Sequence, residues 1–168
     1  VLVQLSAMSR VRTAMASAGT RVTAICDTKP DRLDTAASAA AKDKPKTYRD
    51  YKQLLADPNV EAVHIATPCD LHVEMAIAAL EAGKHVYCEK PVGIQAAEIV
   101  RLVAAVKKHP KLVFQVGQQM RSIKFRQALV EKIRSGAAGD IIMVKAQRHA
   151  AEDLDHTGSS SDWFFDAK

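Results

Sequence analysis

Short runs rich in β-branched residues recur along this 168-residue chain, and the intervals between them carry apolar residues at helical spacing. VLVQL (1–5), RVTAIC (21–26), KTY (46–48), VEAVHIA (60–66), HVYC (85–88) and LVFQV (112–116) read as six strands. A first helix ends near Gly19, and Pro30 suits the first turn of an Ala-rich helix over 31–41. DYKQLLADP (50–58) gives a helical turn or two. DLHVEMAIAALEA (70–82) places Val73, Ala76, Ile77 and Leu80 on one face, with Asp70 as its cap and Gly83 as its stop. Ala96, Ile99, Val100, Val103 and Val106 define a helix over 95–108. A basic helix over about 122–135 carries Phe125, Leu129 and Ile133 and closes at Gly136. DIIMVKAQRHA (140–150) reads as a longer strand, followed by a polar tail.

Strands joined through helices need crossover connections, which makes the sheet parallel and the crossovers right-handed. Six such strands before residue 118 predict an α/β fold, a doubly wound parallel sheet of the dinucleotide-binding kind. Ligands of such sheets lie beyond the carboxyl ends of the strands. Asp27, Thr67-Pro68, Glu89-Lys90-Pro91 and Gln118 all fall on that rim.

Composition narrows the function classes. An apolar content of 48% with 26% charged residues suits a globular domain with a real core. The net charge of +5 welcomes anionic ligands, but the basic residues are dispersed and aromatics make up only 5%, which argues against nucleic-acid binding. Cys26, Cys69 and Cys88 form no CxxC pair and no metal-ligand spacing, so buried thiols in a reducing, cytoplasmic setting are expected and no metal site. No apolar run approaches the ~20 residues that cross a bilayer, so no membrane partner is expected. No signal peptide is visible; because the chain starts at Val1, export with a lost leader stays open.

An acid ending the second strand, Asp27, can accept hydrogen bonds from adenosine ribose hydroxyls and repel a 2′-phosphate, which favours NAD. It can equally cap the turn before Pro30, and Lys29 and Arg32 leave NADP open. The amides that begin the helix after Thr67-Pro68 can face a pyrophosphate or ribose, with His72 in its first turn, although a lone histidine there more often caps or faces solvent. Glu89-Lys90-Pro91 can be no more than a solvated turn that ends its strand. At the sheet rim it has a sharper reading. Oxidising an alcohol sends hydride from carbon and a proton from oxygen, and a partly desolvated lysine with a lowered pKa can exchange that proton. Glu89 would orient the lysine or touch the nicotinamide ribose, and Pro91 would fix the backbone.

ATPCDLHVEMAIAALEAGKHVYCEKPVG (66–93) resembles the signature of the Gfo/Idh/MocA oxidoreductases, the glucose–fructose oxidoreductase and inositol dehydrogenase family. YRDYKQLLADPNVEAVHIATP before it, FQVGQQMRS after it and IRSGAAGDIIMV are similar to the same family, so the resemblance spans roughly residues 20 to 168. It implies a Rossmann domain over 1–120 and the beginning of a substrate domain over 121–168. It implies an NAD or NADP cofactor, a sugar or polyol substrate, and association of copies through the second domain's sheet. By the same resemblance Lys90 is the catalytic lysine, and Glu89-Lys90-Pro91 lines the nicotinamide site, often with a cis bond before the proline. Thr67, Pro68, Leu71 and His72 match the cofactor-contacting turn, Gln118 and Gln119 match polar positions at the sixth strand end, and Arg121 faces substrate. DWFFDAK is similar to the segment preceding the family's second-domain catalytic histidine.

The chain departs from the family's pattern in two places. LSAMSRVRTAM follows the first strand in place of a GxGxxG loop, with Ser6, Met8 and Val11 where glycines would let backbone approach pyrophosphate. The chain also ends before most of the family's substrate domain, so a truncated member is expected. The leading expectation is an NAD(P)-dependent oxidoreductase, or its cofactor-binding part. The alternative is a degenerate, non-catalytic nucleotide-binding or interaction module.

Overall fold

The computed structural model describes residues 19–118 and 120–147. The expected strand at 1–5, the helix after it, the LSAMSRVRTAM loop, Gln119 and the DWFFDAK tail lie outside the described residues. Two compact units divide after Arg121.

The first unit is built from alternating strands and helices: β1 (Ala24–Cys26), α1 (Pro30–Ala39), β2 (Lys46–Tyr48), α2 (Tyr51–Leu55), β3 (Ala62–Ile65), α3 (His72–Glu81), β4 (His85–Glu89), α4 (Ala96–Lys108) and β5 (Phe114–Gly117). Every pairing among the described residues is parallel. β1 pairs with β2, and β3, β4 and β5 form a sheet in that order. The register sets Ile65 beside Cys88, Cys88 beside Val116 and Glu89 beside Gly117. Thr67, Lys90 and Gln118 therefore follow strand ends that are level with one another.

Both faces of β1 are covered, so all three of its residues are buried. Ile25 joins Val22, Leu33, Ala36 and Ala40 under α1. Ala24 and Cys26 face the main core, which also holds Val63, Ile65, Val86 and Cys88 from the sheet and Val73, Ala76, Leu80 and Leu102 from the helices. Strand lengths follow the ladders: β1 shrinks from the expected 21–26 because β2 offers only three partners. β5 starts at Phe114 because Leu112 N is still bonded to His109 O in a turn.

Local chemistry explains most helix ends. Pro30 opens α1, and the Asp50 side chain caps α2 by accepting from Lys52 N at 2.9 Å. Gly83 ends α3 at φ 75°, with Gly83 N bonded to Leu80 O and Lys84 N to Ala79 O. Asp70 does not cap α3: it sits in a 3₁₀ turn over Cys69–Leu71, and α3 has no side-chain cap.

Asp57, almost fully buried, ties the opposite, amino-terminal edge of the strands together. Its carboxylate accepts from Asn59 N and Nδ2 (both 2.9 Å), Tyr48 Oη (2.8 Å) and Lys46 Nζ (3.2 Å), while its carbonyl accepts from the buried Lys84 Nζ at 3.0 Å. The Asn59 amide, followed by the Tyr48 hydroxyl, holds the Asp57 carboxyl well below the usual carboxylate range. A carboxyl depressed on folding adds stability above its unfolded value, near 4, and that stability disappears as pH falls through the folded value. Thermal melts are therefore expected to show a falling midpoint below about pH 4. Asp57→Asn should melt lower at pH 7 and lose part of that acid slope; an unchanged slope would remove Asp57 as its source.

The second unit contains α5 (Lys124–Lys132), which runs into a π turn over Ile133–Ala137 and closes at Gly136, φ 88°. The strand expected at 140–150 is not formed over its described part. Residues 141–147 pair with no neighbour among the described residues, and a strand exists only through a ladder partner. Ile142, Met143 and Val144 stand exposed. Among the described residues no helix is long and apolar enough to cross a membrane.

Candidate functional site

The turn after β1 is shaped by Asp27. Its backbone N extends the ladder to Tyr48 O at 3.2 Å, and its Oδ1 accepts from Lys29 N at 2.9 Å, an Asx turn that leads into Pro30. The residue is only 2% exposed. The turn-capping role is thus made, and Asp27 also borders a cavity of about 300 Å³ at the carboxyl ends of β1 and β3. Thr67 and Leu71 line the same cavity, together with Arg49, Tyr51 and Met75. Three of the expected cofactor residues, Asp27, Thr67 and Leu71, are therefore brought together. A hollow with a carboxylate at one wall and Leu71, Met75 and the Tyr51 ring at others suits a flat heterocycle joined to a hydroxylated sugar.

Arg49 was not singled out from the sequence. Its Nη2 donates to Thr28 O at 3.1 Å, which sets a cation beside the residue after Asp27. The legible signal was its position: Arg49 directly follows β2, on the same rim.

His72 is neither a surface nor a capping residue. It is 1% exposed, with Nδ1 2.7 Å from Pro91 O and Nε2 2.9 Å from Thr67 O. Both ring nitrogens are occupied by backbone, so the ring braces the two turns instead of presenting a nitrogen to a ligand. Pro68, half-buried, begins the 3₁₀ turn that precedes α3.

Glu89 lies on the other face of the sheet from the α3–α4 core. Its Oε1 accepts from His64 Nε2 at 3.3 Å, both side chains being 12% exposed. The Tyr87 ring meets His64 edge-on, with centroids 4.8 Å apart. Tyr87 in turn lies over Gly117, where a Cβ would come within 2.8 Å of its hydroxyl. His64 is a second residue the sequence reading missed; period-two alternation puts it on the same face as Tyr87 and Glu89.

The Lys90–Pro91 bond is cis. Lys90 and Pro91 are exposed, which corrects the expectation of a partly desolvated lysine. Lys90 Nζ meets no partner among the described residues. Gln118 is exposed with its N bonded to Val116 O at 2.9 Å, and Arg121 is exposed. None of Lys90, Gln118 and Arg121 borders the 300 Å³ cavity. Just beyond the turn, Gly93 is close-packed: a Cβ there would approach Ile99 Cδ1 to 2.7 Å and Val73 Cγ2 to 2.9 Å.

Two of the three thiols, Cys26 and Cys88, are buried beneath this rim. Burial, reinforced by Asp27 and Asp50, pushes the Cys26 thiol up to about 11. Burial, then Glu89 and Cys69, pushes Cys88 up to about 12.

Comparison with known proteins gives concordant matches. Residues 5–118 match the family model for GFO_IDH_MocA, described as an oxidoreductase family with an NAD-binding Rossmann fold. The chain is 36% identical over 140 residues to inositol 2-dehydrogenase of Salmonella typhimurium, covering 83% of this chain and 41% of that protein. It superposes on the crystal structure of myo-inositol 2-dehydrogenase from Lactobacillus plantarum with a TM-score of 0.75 at 28% identity, covering 84% of this chain and 42% of that one. A 3-ketoreductase from Actinomadura kijaniata, crystallised with NADP and TDP-benzene, aligns with a TM-score of 0.65 at 26% identity over 75% of this chain and 38% of that one. The chain thus spans about two fifths of the length of these relatives.

Proposed function

The chain belongs to the Gfo/Idh/MocA oxidoreductase family, with its NAD-binding Rossmann fold, and from this we propose that it forms the cofactor-binding part of an NAD(P)-dependent dehydrogenase acting on a polyol or sugar alcohol. The observation that carries the reading is the cavity at the parallel strand ends that joins Asp27 to Thr67 and Leu71. In this reading the adenosine half of the cofactor occupies that cavity, with the Asp27 carboxylate toward the ribose hydroxyls. Arg49 beside Thr28 supplies a cation that a 2′-phosphate would meet, so NADP is accommodated as well as NAD. The turn formed by Thr67 and Pro68 would hold the pyrophosphate.

The nicotinamide end lies toward Glu89, Lys90, Pro91 and Gln118, which follow level strand ends. A nicotinamide held there would supply the hydride chemistry. Lys90 Nζ takes the proton from the substrate hydroxyl as the carbonyl forms and gives it back in the reverse direction. Arg121, past β5, hydrogen-bonds substrate hydroxyls. Inositol as the substrate of two relatives supports a ring polyol. The domain assignment that goes with this is a cofactor domain over 1–120 and the start of a substrate domain over 121–168.

The test is NAD reduction driven by a cyclic polyol, compared between the enzyme that carries this chain and its Lys90→Ala variant. A second reading, a nucleotide-binding module without chemistry, is favoured by the exposure of Lys90. It is separated by the same assay: cofactor binding without any turnover on polyols.

A further inference from the structure

His72 is the one buried histidine whose two ring nitrogens both face backbone carbonyl oxygens among the described residues. The two carbonyls belong to the two turns that the proposed function uses: Thr67, at the end of β3 beside the cavity, and Pro91, directly after Lys90. A carbonyl oxygen offers no proton, and a neutral imidazole has one N–H and one bare nitrogen. The contacts, at 2.7 and 2.9 Å, set one ring nitrogen against each turn, and the tautomer decides which of the two donates. The ring has little room to swing. It starts α3, whose next residue, Val73, is 2% exposed and in contact distance of the Gly93 position beyond the lysine turn.

We propose that His72 is a positioning residue that couples the cofactor turn to the Lys90 turn by setting one ring nitrogen against the carbonyl of each. Resting on the oxidoreductase reading, this goes beyond it in assigning to one side chain the spacing between cofactor and acid/base. The Thr67 carbonyl is fixed from one edge of the ring and the Pro91 carbonyl from the other, so a rigid five-membered ring sets their separation. A flexible side chain with a single donor end holds one turn and releases the other.

The experiment uses the 168-residue chain. Imidazole ¹⁵N spectra of the wild type should show a His72 ring N–H that exchanges slowly with solvent, as a proton held against a buried carbonyl does. His72→Gln keeps donors at one end only. It is expected to weaken NADH binding about tenfold, the size of one lost hydrogen bond, while the amide resonances of Val63 and Val86 in the sheet keep their positions. A wild-type ring N–H that exchanges as fast as that of a solvent-exposed histidine would overturn the coupling, and so would a folded His72→Gln that binds NADH as tightly as wild type. If His72→Gln does not fold, the wild-type ring spectrum alone decides. If the wild type itself binds no NADH, the cofactor reading fails, and the ring spectrum still accepts or rejects the two-ended brace.

Discussion

Lys90→Ala is expected to lower polyol-dependent NAD reduction by about 10²–10⁴-fold, the usual contribution of a positioned acid/base. Lys90 is exposed and its side chain makes no hydrogen bond or ion pair among the described residues, so its loss should leave stability within about 0.5 kcal/mol of wild type. The loss of rate would then be chemical and not a folding defect. Lys90→Arg refines the result. An arginine keeps the positive charge but does not release its proton near neutral pH. Recovery of rate in Lys90→Arg would mean that the lysine acts as a fixed charge; continued loss would mean that its proton moves. NADH affinity should change little in either variant, because Lys90 does not border the cavity assigned to adenosine. Steady-state rates with measured dissociation constants separate these outcomes.

The largest expected effect on stability comes from the strand beneath the cofactor turn. Ile65 is 1% exposed, pairs with Cys88 on β4 and belongs to the main core. Truncation to Ala removes three carbons from a packed site that collapses only in part, at a cost of about 2–5 kcal/mol. For a unit of this size each kcal/mol lowers the melting midpoint by roughly 4–8 °C. Ile65→Ala should therefore melt at least about 8 °C below wild type, read by circular dichroism at constant pH. Ile65→Val, which removes one methylene, should lose only about 0.5–1.5 kcal/mol. Equal losses for the two variants would show that the site is not packed as described.

The sheet was legible because its signals are local and redundant. HVYC between Gly83 and Pro91 is bounded on both sides by residues that stop regular structure, and β4 runs from His85 to Glu89. KTY formed β2 as it stands, and Pro30 opened α1 at the expected residue. The expected rim also formed, since parallel register follows once strands and helices alternate. The side chains were harder to place. Asp27 reads from sequence as either a turn cap or a ribose ligand, and the Asx turn with Lys29 N fills the first role at the edge of the cavity. His72 carries no pattern that distinguishes a buried brace from a surface histidine; its partners, Thr67 and Pro91, are brought near only by the fold. His64 and Glu89 are distant in sequence and meet across adjacent strands. The described part of the 140–150 segment, 140–147, is not a strand for a related reason: its run Ile141 to Val144 is apolar like a buried strand, but pairing depends on a neighbour that local sequence does not supply.

We propose that the rim containing Asp27, Thr67 and Leu71 holds a nicotinamide dinucleotide. Titrating the folded 168-residue chain with NADH and following nicotinamide fluorescence tests it without requiring turnover. Saturable binding with a dissociation constant of roughly 1–100 μM, about −8 to −5 kcal/mol, is the expected result. No saturation at millimolar NADH, from a chain whose circular dichroism shows it folded, would contradict it.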